Sequence, residues 1–125
     1  MGLFDIFENK DNKIIKQYRD YKSKPFGIGL KIDNLTDQDI LWVHNNVKKN
    51  FDFSSFPNDF KVSKVPEEVL FVITAECLEF YNANNKSEDV HMQILGQFLE
   101  SYLNGGLQGL FSVFRPAAKW RLNIG

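Results

Sequence analysis

Pro66-Glu67-Glu68-Val69-Leu70-Phe71-Val72-Ile73-Thr74-Ala75-Glu76-Cys77-Leu78-Glu79-Phe80-Tyr81 is the most apolar stretch of the chain, and its reading decides the fold. Val69 to Ile73 is rich in β-branched residues and on its own would suit a buried strand. The apolar run continues to Tyr81, past the roughly 4–8 residues of an ordinary strand, which favours a helix. Proline in a first turn followed by two glutamates suits a helix start, because the ring removes an amide that has no partner there and the carboxylates meet the positive dipole end. Only a narrow polar strip, Thr74, Glu76 and Glu79, interrupts the apolar surface. The stretch is therefore expected to be a central, buried helix with that strip turned to solvent.

Working outward, the polar turn Asn82 to Lys86 leads to Ser87, a capping residue followed by Glu88 and Asp89. His91, Ile94, Leu95, Phe98, Leu99, Tyr102 and Leu103 recur at steps of three and four, predicting a helix over Ser87–Leu103. Asn104-Gly105-Gly106 ends it. Leu107, Leu110, Phe111 and Phe114 predict a short further helix to Arg115, closed by Pro116, and then a basic tail anchored by Trp120 and Leu122.

Upstream, Thr36 caps a predicted helix Asp37–Asn50 with Ile40, Val43 and Val47 on its apolar face and Lys48 and Lys49 at its C-terminus. Phe51 to Phe60 mixes turn formers with four phenylalanines and reads as an irregular loop pinned by its aromatics. Pro25-Phe26-Gly27-Ile28-Gly29 breaks helix, and Leu30-Lys31-Ile32 is too short to build a sheet, so it is an extended connection. Ile14, Ile15, Tyr18 and Tyr21 predict a basic amphipathic helix from Asp11 to Lys22. The apolar start Leu3, Phe4, Ile6 and Phe7 is expected to dock on the domain. The result is a single all-α domain, residues 1–125, of about five helices around the helix at 66–81.

Composition agrees. In 125 residues, 43% hydrophobic and 25% charged content is that of an ordinary globular chain, and twelve phenylalanines supply a large apolar payload for a small core. A net charge of −1 argues against a sequence-independent polyanion binder and against a heavily acidic nucleic-acid mimic, so no nucleic-acid partner is favoured. The charge is segregated: Lys13, Lys16, Arg19, Lys22, Lys24 and Lys31 face one acid, Asp20, over the early chain, while the region from Ser63 to Gly106 is acidic. The lone Cys77 makes no intramolecular disulfide, no stretch reaches the roughly 20 apolar residues of a membrane span, and the start has no signal-peptide pattern, so a cytoplasmic location is expected. Gly2 would allow myristoylation, but Ile6 stands where that motif has Ser or Thr.

Little in the sequence supports catalysis. His44 and His91 are isolated and fit no metal-ligand spacing, so neither a metal nor a cofactor is expected, and both read as hydrogen-bonded structural histidines. Cys77 reads as packing. Glu76 and Glu79, three apart, are the one candidate carboxylate pair for acid/base work, set against their simpler role as the solvent strip. Gly27-Ile28-Gly29 is half a phosphate loop without its strand, third glycine or Lys-Ser/Thr end. Two binding candidates stand out. Phe51, Phe53, Phe56 and Phe60 form an aromatic docking surface or a set of core pins. Asn104, Gly105 and Gly106 form a glycine corner whose free amides, with Arg115 at the far end of the next helix, would suit an anion, or else an ordinary helix cap.

The string Asn104-Gly105-Gly106, with Leu107 next and Phe111 four residues beyond, follows a long amphipathic helix. Over about Tyr102 to Phe111 it resembles the Asn-Gly-Gly-Phe motif of a family of small bacterial helical proteins that includes a DNA mimic acting on a transcription factor. Leu107 stands where that motif has phenylalanine. The resemblance implies a helical fold and a binding role, with Asn104, Gly105 and Gly106 shaping the corner.

The function expected is a noncatalytic protein-binding module, such as a small bacterial regulator or an immunity protein that occludes a toxin, because segregated charge and surplus aromatics suit a steered, aromatic-anchored interface. The alternative is peripheral contact with a membrane surface, or an anionic ligand, through the basic first helix. A carboxylate-dependent enzyme using Glu76 and Glu79 ranks third.

Overall fold

The computed structural model describes residues 3–24 and 26–124, with side chains from Lys10 onward. Among the described residues there are five α-helices, two single-turn 3-10 segments at Phe53–Ser55 and Asn58–Phe60, and no strand. The helices are α1 (Leu3–Arg19), α2 (Asp37–Asn50), α3 (Glu67–Ala83), α4 (Glu88–Ser112) and α5 (Pro116–Arg121). The chain is all-α, as its periodicities require.

α1 begins earlier than the apolar spacing predicts and stops earlier too. Nothing between Leu3 and Arg19 breaks a helix, so the polar run Glu8 to Asn12 continues the helix instead of separating two segments. The predicted docking of Leu3, Phe4, Ile6 and Phe7 lies outside the described side chains. At the other end Arg19 reaches forward, donating to Asp37 and to the carbonyl of Leu35, which ties α1 to the start of α2.

α2 has the predicted boundaries. The Thr36 hydroxyl accepts from the amide of Asp39, and the Asp39 carboxylate accepts from the amide of Thr36, a reciprocal capping box. Its apolar stripe Ile40, Val43 and Val47 is fully buried.

α3 packs against α2, α4 and α5, and α1 reaches it where Tyr18 stacks on Phe71. Pro66 stands just before its first turn rather than inside it. Leu30, Ile32 and Leu35 are buried without forming a strand. The amide of Lys31, which a neighbouring strand would otherwise satisfy, donates to the Glu79 carboxylate at 2.9 Å.

The helix break predicted at Asn104 to Gly106 is present, and α4 is two helical segments joined at a corner. Gly106 alone leaves helical geometry, at φ 63° and ψ −151°, a region open to glycine, and the helix resumes at once. Beyond the kink the chain passes close to its own earlier turn, and a Cβ on Gly109 would lie 2.5 Å from the carbonyl oxygen of Ser101. Pro116 also departs from expectation. It opens α5 instead of closing the preceding helix, the fixed φ and missing amide of proline being suited to a first helical position. The tail is therefore a short helix, in which Leu122 packs against the core and Trp120 is 65% exposed rather than an anchor.

Candidate functional site

The strip on α3 that should face water does not. Thr74, Glu76 and Glu79 are all buried, Glu76 completely. The expected solvent strip is corrected by the chain's C-terminal end, which folds over it with two arginines. Arg115 Nε donates to Glu76 Oε2 at 2.6 Å, its Nη2 to Glu76 Oε1 at 2.9 Å and to Glu79 Oε1 at 2.8 Å. Arg121 Nη1 donates to Glu76 Oε1 at 2.9 Å and its Nη2 to Glu79 Oε1 at 3.0 Å. Two carboxylates and two guanidiniums thus form a closed, formally neutral cluster. Sequence spacing showed the two acids but not the cations, which arrive from 36 or more residues away.

Burial gives these bonds their weight. Removing a charge from water costs several kcal/mol, roughly, and only good geometry with every polar atom satisfied repays it. Here Glu79 Oε2, the oxygen that the arginines leave, accepts from Lys31. The hydrogen bond to Glu76 holds the Arg115 guanidinium above its ordinary pKa, against the opposing effect of desolvation. Arg115 also lies over the Phe80 ring at 4.6 Å. Each carboxylate is committed to two guanidiniums, which suits the cluster to fastening α5 and the Leu30–Ile32 connection onto α3.

What α5 carries is exposed. Trp120 projects beside Phe26 and Ile28, which are 71% and 56% exposed. Together with Ala117 and Ile124 they line an open groove of about 460 Å³, with Arg121 in its wall. The opposite side of the groove is a tight turn. The Ser23 amide donates to the Ile28 carbonyl at 2.8 Å, the Gly27 amide to the Ser23 carbonyl at 2.7 Å, and the Ile28 amide to the Ser23 hydroxyl at 3.0 Å. Gly27 takes φ 66°, which lets Phe26 and Ile28 stand out from a closed loop. Arg121 approaches the Tyr21 ring at 5.9 Å and so links the two sides. Of the lining residues, Lys24 and Arg121 carry charge, both positive, and Arg121 is neutralised by the glutamates.

The residues predicted from sequence are dispersed. Phe51 is buried, Phe53 and Phe56 are half-buried, and Phe60 is exposed. They run as a chain of ring contacts, with Phe53 stacked on Tyr102 at 5.6 Å and Phe56 meeting Phe60 edge-on at 5.7 Å. Asn104 and Gly105 are exposed on α4, Gly106 makes the kink, and Arg115 is turned to the α3 carboxylates. The glycine corner and Arg115 therefore do not share a ligand-facing surface.

The histidines take separate structural bonds. His91 is fully buried against Trp42 and Tyr81, with Nε2 3.1 Å from Asn46 Oδ1. Its Nδ1 is a buried side-chain polar atom without a partner among the described residues. Burial lowers its pKa. His44 Nδ1 lies 2.6 Å from the Tyr18 hydroxyl. Burial pushes the Cys77 thiol up, and the Glu76 charge adds to the shift, so the thiolate nucleophile is disfavoured.

Sequence reasoning missed Phe26, Ile28 and Trp120. The signal was present: two large apolar residues among Pro25, Gly27 and Gly29, where the chain cannot form a helix face to bury them. No family model, curated protein sequence or solved structure matches this chain.

Proposed function

We propose that the protein is a noncatalytic protein-binding module that uses the groove between the Ser23–Ile28 turn and α5. One observation carries this reading. Of the five exposed large hydrophobics among the described residues (Phe26, Ile28, Phe60, Met92 and Trp120), three line this one groove. Scattered exposed apolar residues need no explanation, whereas a clustered set around a concavity marks a binding surface. Trp and Phe are also the residue types that supply most energy at an interface core.

The occupant is a protein segment with apolar residues flanked by carboxylates. Among the described residues the one lining charge without an ion-pair partner is Lys24, and Lys22 and Lys119 lie beside lining residues in the chain, with no Asp or Glu between Lys22 and Lys31 or after Gly106. Such a field steers acidic partners and sets the approach direction. The buried cluster supports the same role, because it holds α5 without spending charge on the groove. A bacterial regulator or a toxin-occluding immunity protein, acting in the cytoplasm, belongs to this class.

A photo-reactive residue in place of Trp120, and separately in place of Phe60 and Met92, tests the proposal in native cells. The expected result is one protein crosslinked from position 120, through a peptide bearing Asp or Glu beside apolar residues, and lost on Phe26→Ser. Crosslinking confined to position 60 would move the site to the aromatic loop. No protein captured from position 120 would overturn the reading.

A further inference from the structure

A second concavity lies on another face, where α1, α2 and α3 meet. It has a volume of about 380 Å³, within the range of roughly 300–1,000 Å³ typical of small-molecule sites. Its rim carries Lys10 and Lys13 from α1 and Lys48 from α2, opposed among the described residues by a single lining acid, Glu67. All four are exposed, and none is ion-paired among the described residues. Farther in, the wall changes character. Ile14, Leu70 and Phe71 are partly buried, and Tyr18 is almost wholly so, stacked on Phe71 at 5.2 Å.

Gln17 adds an exposed amide to the lining and the Thr74 hydroxyl is spent on the Leu70 carbonyl at 2.9 Å, which leaves one polar pair within the wall. His44 Nδ1 is engaged by the Tyr18 hydroxyl at 2.6 Å, while the other ring nitrogen has no partner among the described residues. From the three cations, the aromatic wall and that free nitrogen, we infer that this cleft binds a small organic anion: an apolar ring or short chain ending in a carboxylate or phosphate. The acid end meets the lysine rim and His44, and the apolar body lies along Phe71 and Ile14.

The electrostatics of His44 agree with this geometry. Its pKa is lowered first by burial and then by the nearby charge of Lys48. That repulsion is the positive field which a bound anion would relieve. The cleft differs from the Trp120 groove, whose lining has three large exposed apolar side chains and one cation outside the cluster, Lys24, where the cleft has three lysines and a histidine, so the two surfaces favour different ligands.

Sodium 2-naphthoate and the neutral 2-naphthamide are the probes, each titrated into the isotope-labelled protein and followed by amide chemical shifts. Saturable naphthoate shifts are expected at amides around Lys13, His44, Lys48 and Phe71, with naphthamide at least about tenfold weaker at low salt, where charge attraction is least screened. The double variant Lys10→Gln with Lys48→Gln removes that preference and, as a change of exposed side chains, leaves the fold intact. Trp120→Ala leaves the binding as it is. The inference is overturned if naphthoate gives no saturable shift in the cleft, if the amide binds as well as the acid, or if the shifts map to the groove beside Trp120.

Discussion

Arg115 holds Glu76 with a two-pronged grip, Nε to Oε2 at 2.6 Å and Nη2 to Oε1 at 2.9 Å, although the carboxylate is fully buried and the guanidinium side chain is 42% exposed. The pair is one edge of a four-residue cluster completed by Glu79 and Arg121. A helix as apolar as α3 tolerates carboxylates inside the fold only because two cations come to them.

The cluster should respond asymmetrically to substitution. Glu76→Gln keeps the shape but leaves two guanidiniums, one of them 8% exposed, facing a single carboxylate. Breaking a buried pair in this way typically costs about 3–5 kcal/mol, whereas replacing both partners by apolar residues costs far less. Urea unfolding should therefore show a large loss for Glu76→Gln and a smaller one for Glu76→Met combined with Arg121→Met. The loss should persist at high salt, which screens buried pairs weakly. A double variant less stable than the single one would show that the four groups do not act as a unit.

The kink in α4 makes three neighbouring glycines unequal. Gly106, at positive φ, and Gly109, against the Ser101 carbonyl, have no room or no conformation for a side chain, while Gly105 is open on all sides and helical. A side chain on the left-handed backbone of Gly106 costs about 1–3 kcal/mol, and so does overpacking of the kind an added Cβ at Gly109 would cause. Gly106→Ala and Gly109→Ala should each lower unfolding free energy by about that amount. Gly105→Ala should be neutral or stabilising by up to about 1 kcal/mol, since alanine is the better helix former.

These two features also mark where sequence reading succeeds and where it stops. Local signals were sufficient for α2, where Thr36 and Asp39 cap each other, and for the helical character of α3 and α4. They located the break at Asn104 to Gly106, where Gly106 leaves helical geometry, but not how closely the segment after it packs back on the one before, with Gly109 against the Ser101 carbonyl. They misjudged Pro116 because proline marks either a boundary behind or a start ahead. Glu76 and Glu79 looked like a surface strip because helical periodicity reports only the residue's own face. Their partners, Arg115 and Arg121, are separated from them by the whole of α4. The groove at Trp120 was hidden for the same reason, being assembled from a turn near the start of the chain and a helix near its end.

Stability should fall as pH drops from 7 to 5. Burial lowers the pKa of His91, and burial together with the charge of Lys48 lowers that of His44. In the unfolded chain both titrate near about 6.5 and so bind protons at a pH where the folded rings still resist them. Whenever the unfolded state holds more protons, stability rises with pH, and this contribution is lost as pH falls through the unfolded value toward the folded one. Unfolding midpoints measured across this range should decline toward pH 5 in the wild type. His44→Gln with His91→Gln should flatten the decline, whatever it does to stability at pH 7. An unchanged slope would place the effect on other groups.

The aromatic loop and the groove should separate cleanly when stability and exposure are measured together. Phe51 is buried in the core and also contacts Tyr102, so Phe51→Ala creates a cavity that should cost about 3–5 kcal/mol. Phe60→Ala and Trp120→Ala remove exposed rings and should change stability by no more than about 0.5 kcal/mol. Of the two tryptophans, Trp42 is half-buried and stacked on Tyr81, whereas Trp120 stands in the open groove. Acrylamide should therefore quench two populations of fluorescence in the free protein, with Trp120→Phe removing the readily quenched one. If that population instead survives in Trp120→Phe, the ring is covered in solution, and the groove is not the free surface its geometry describes.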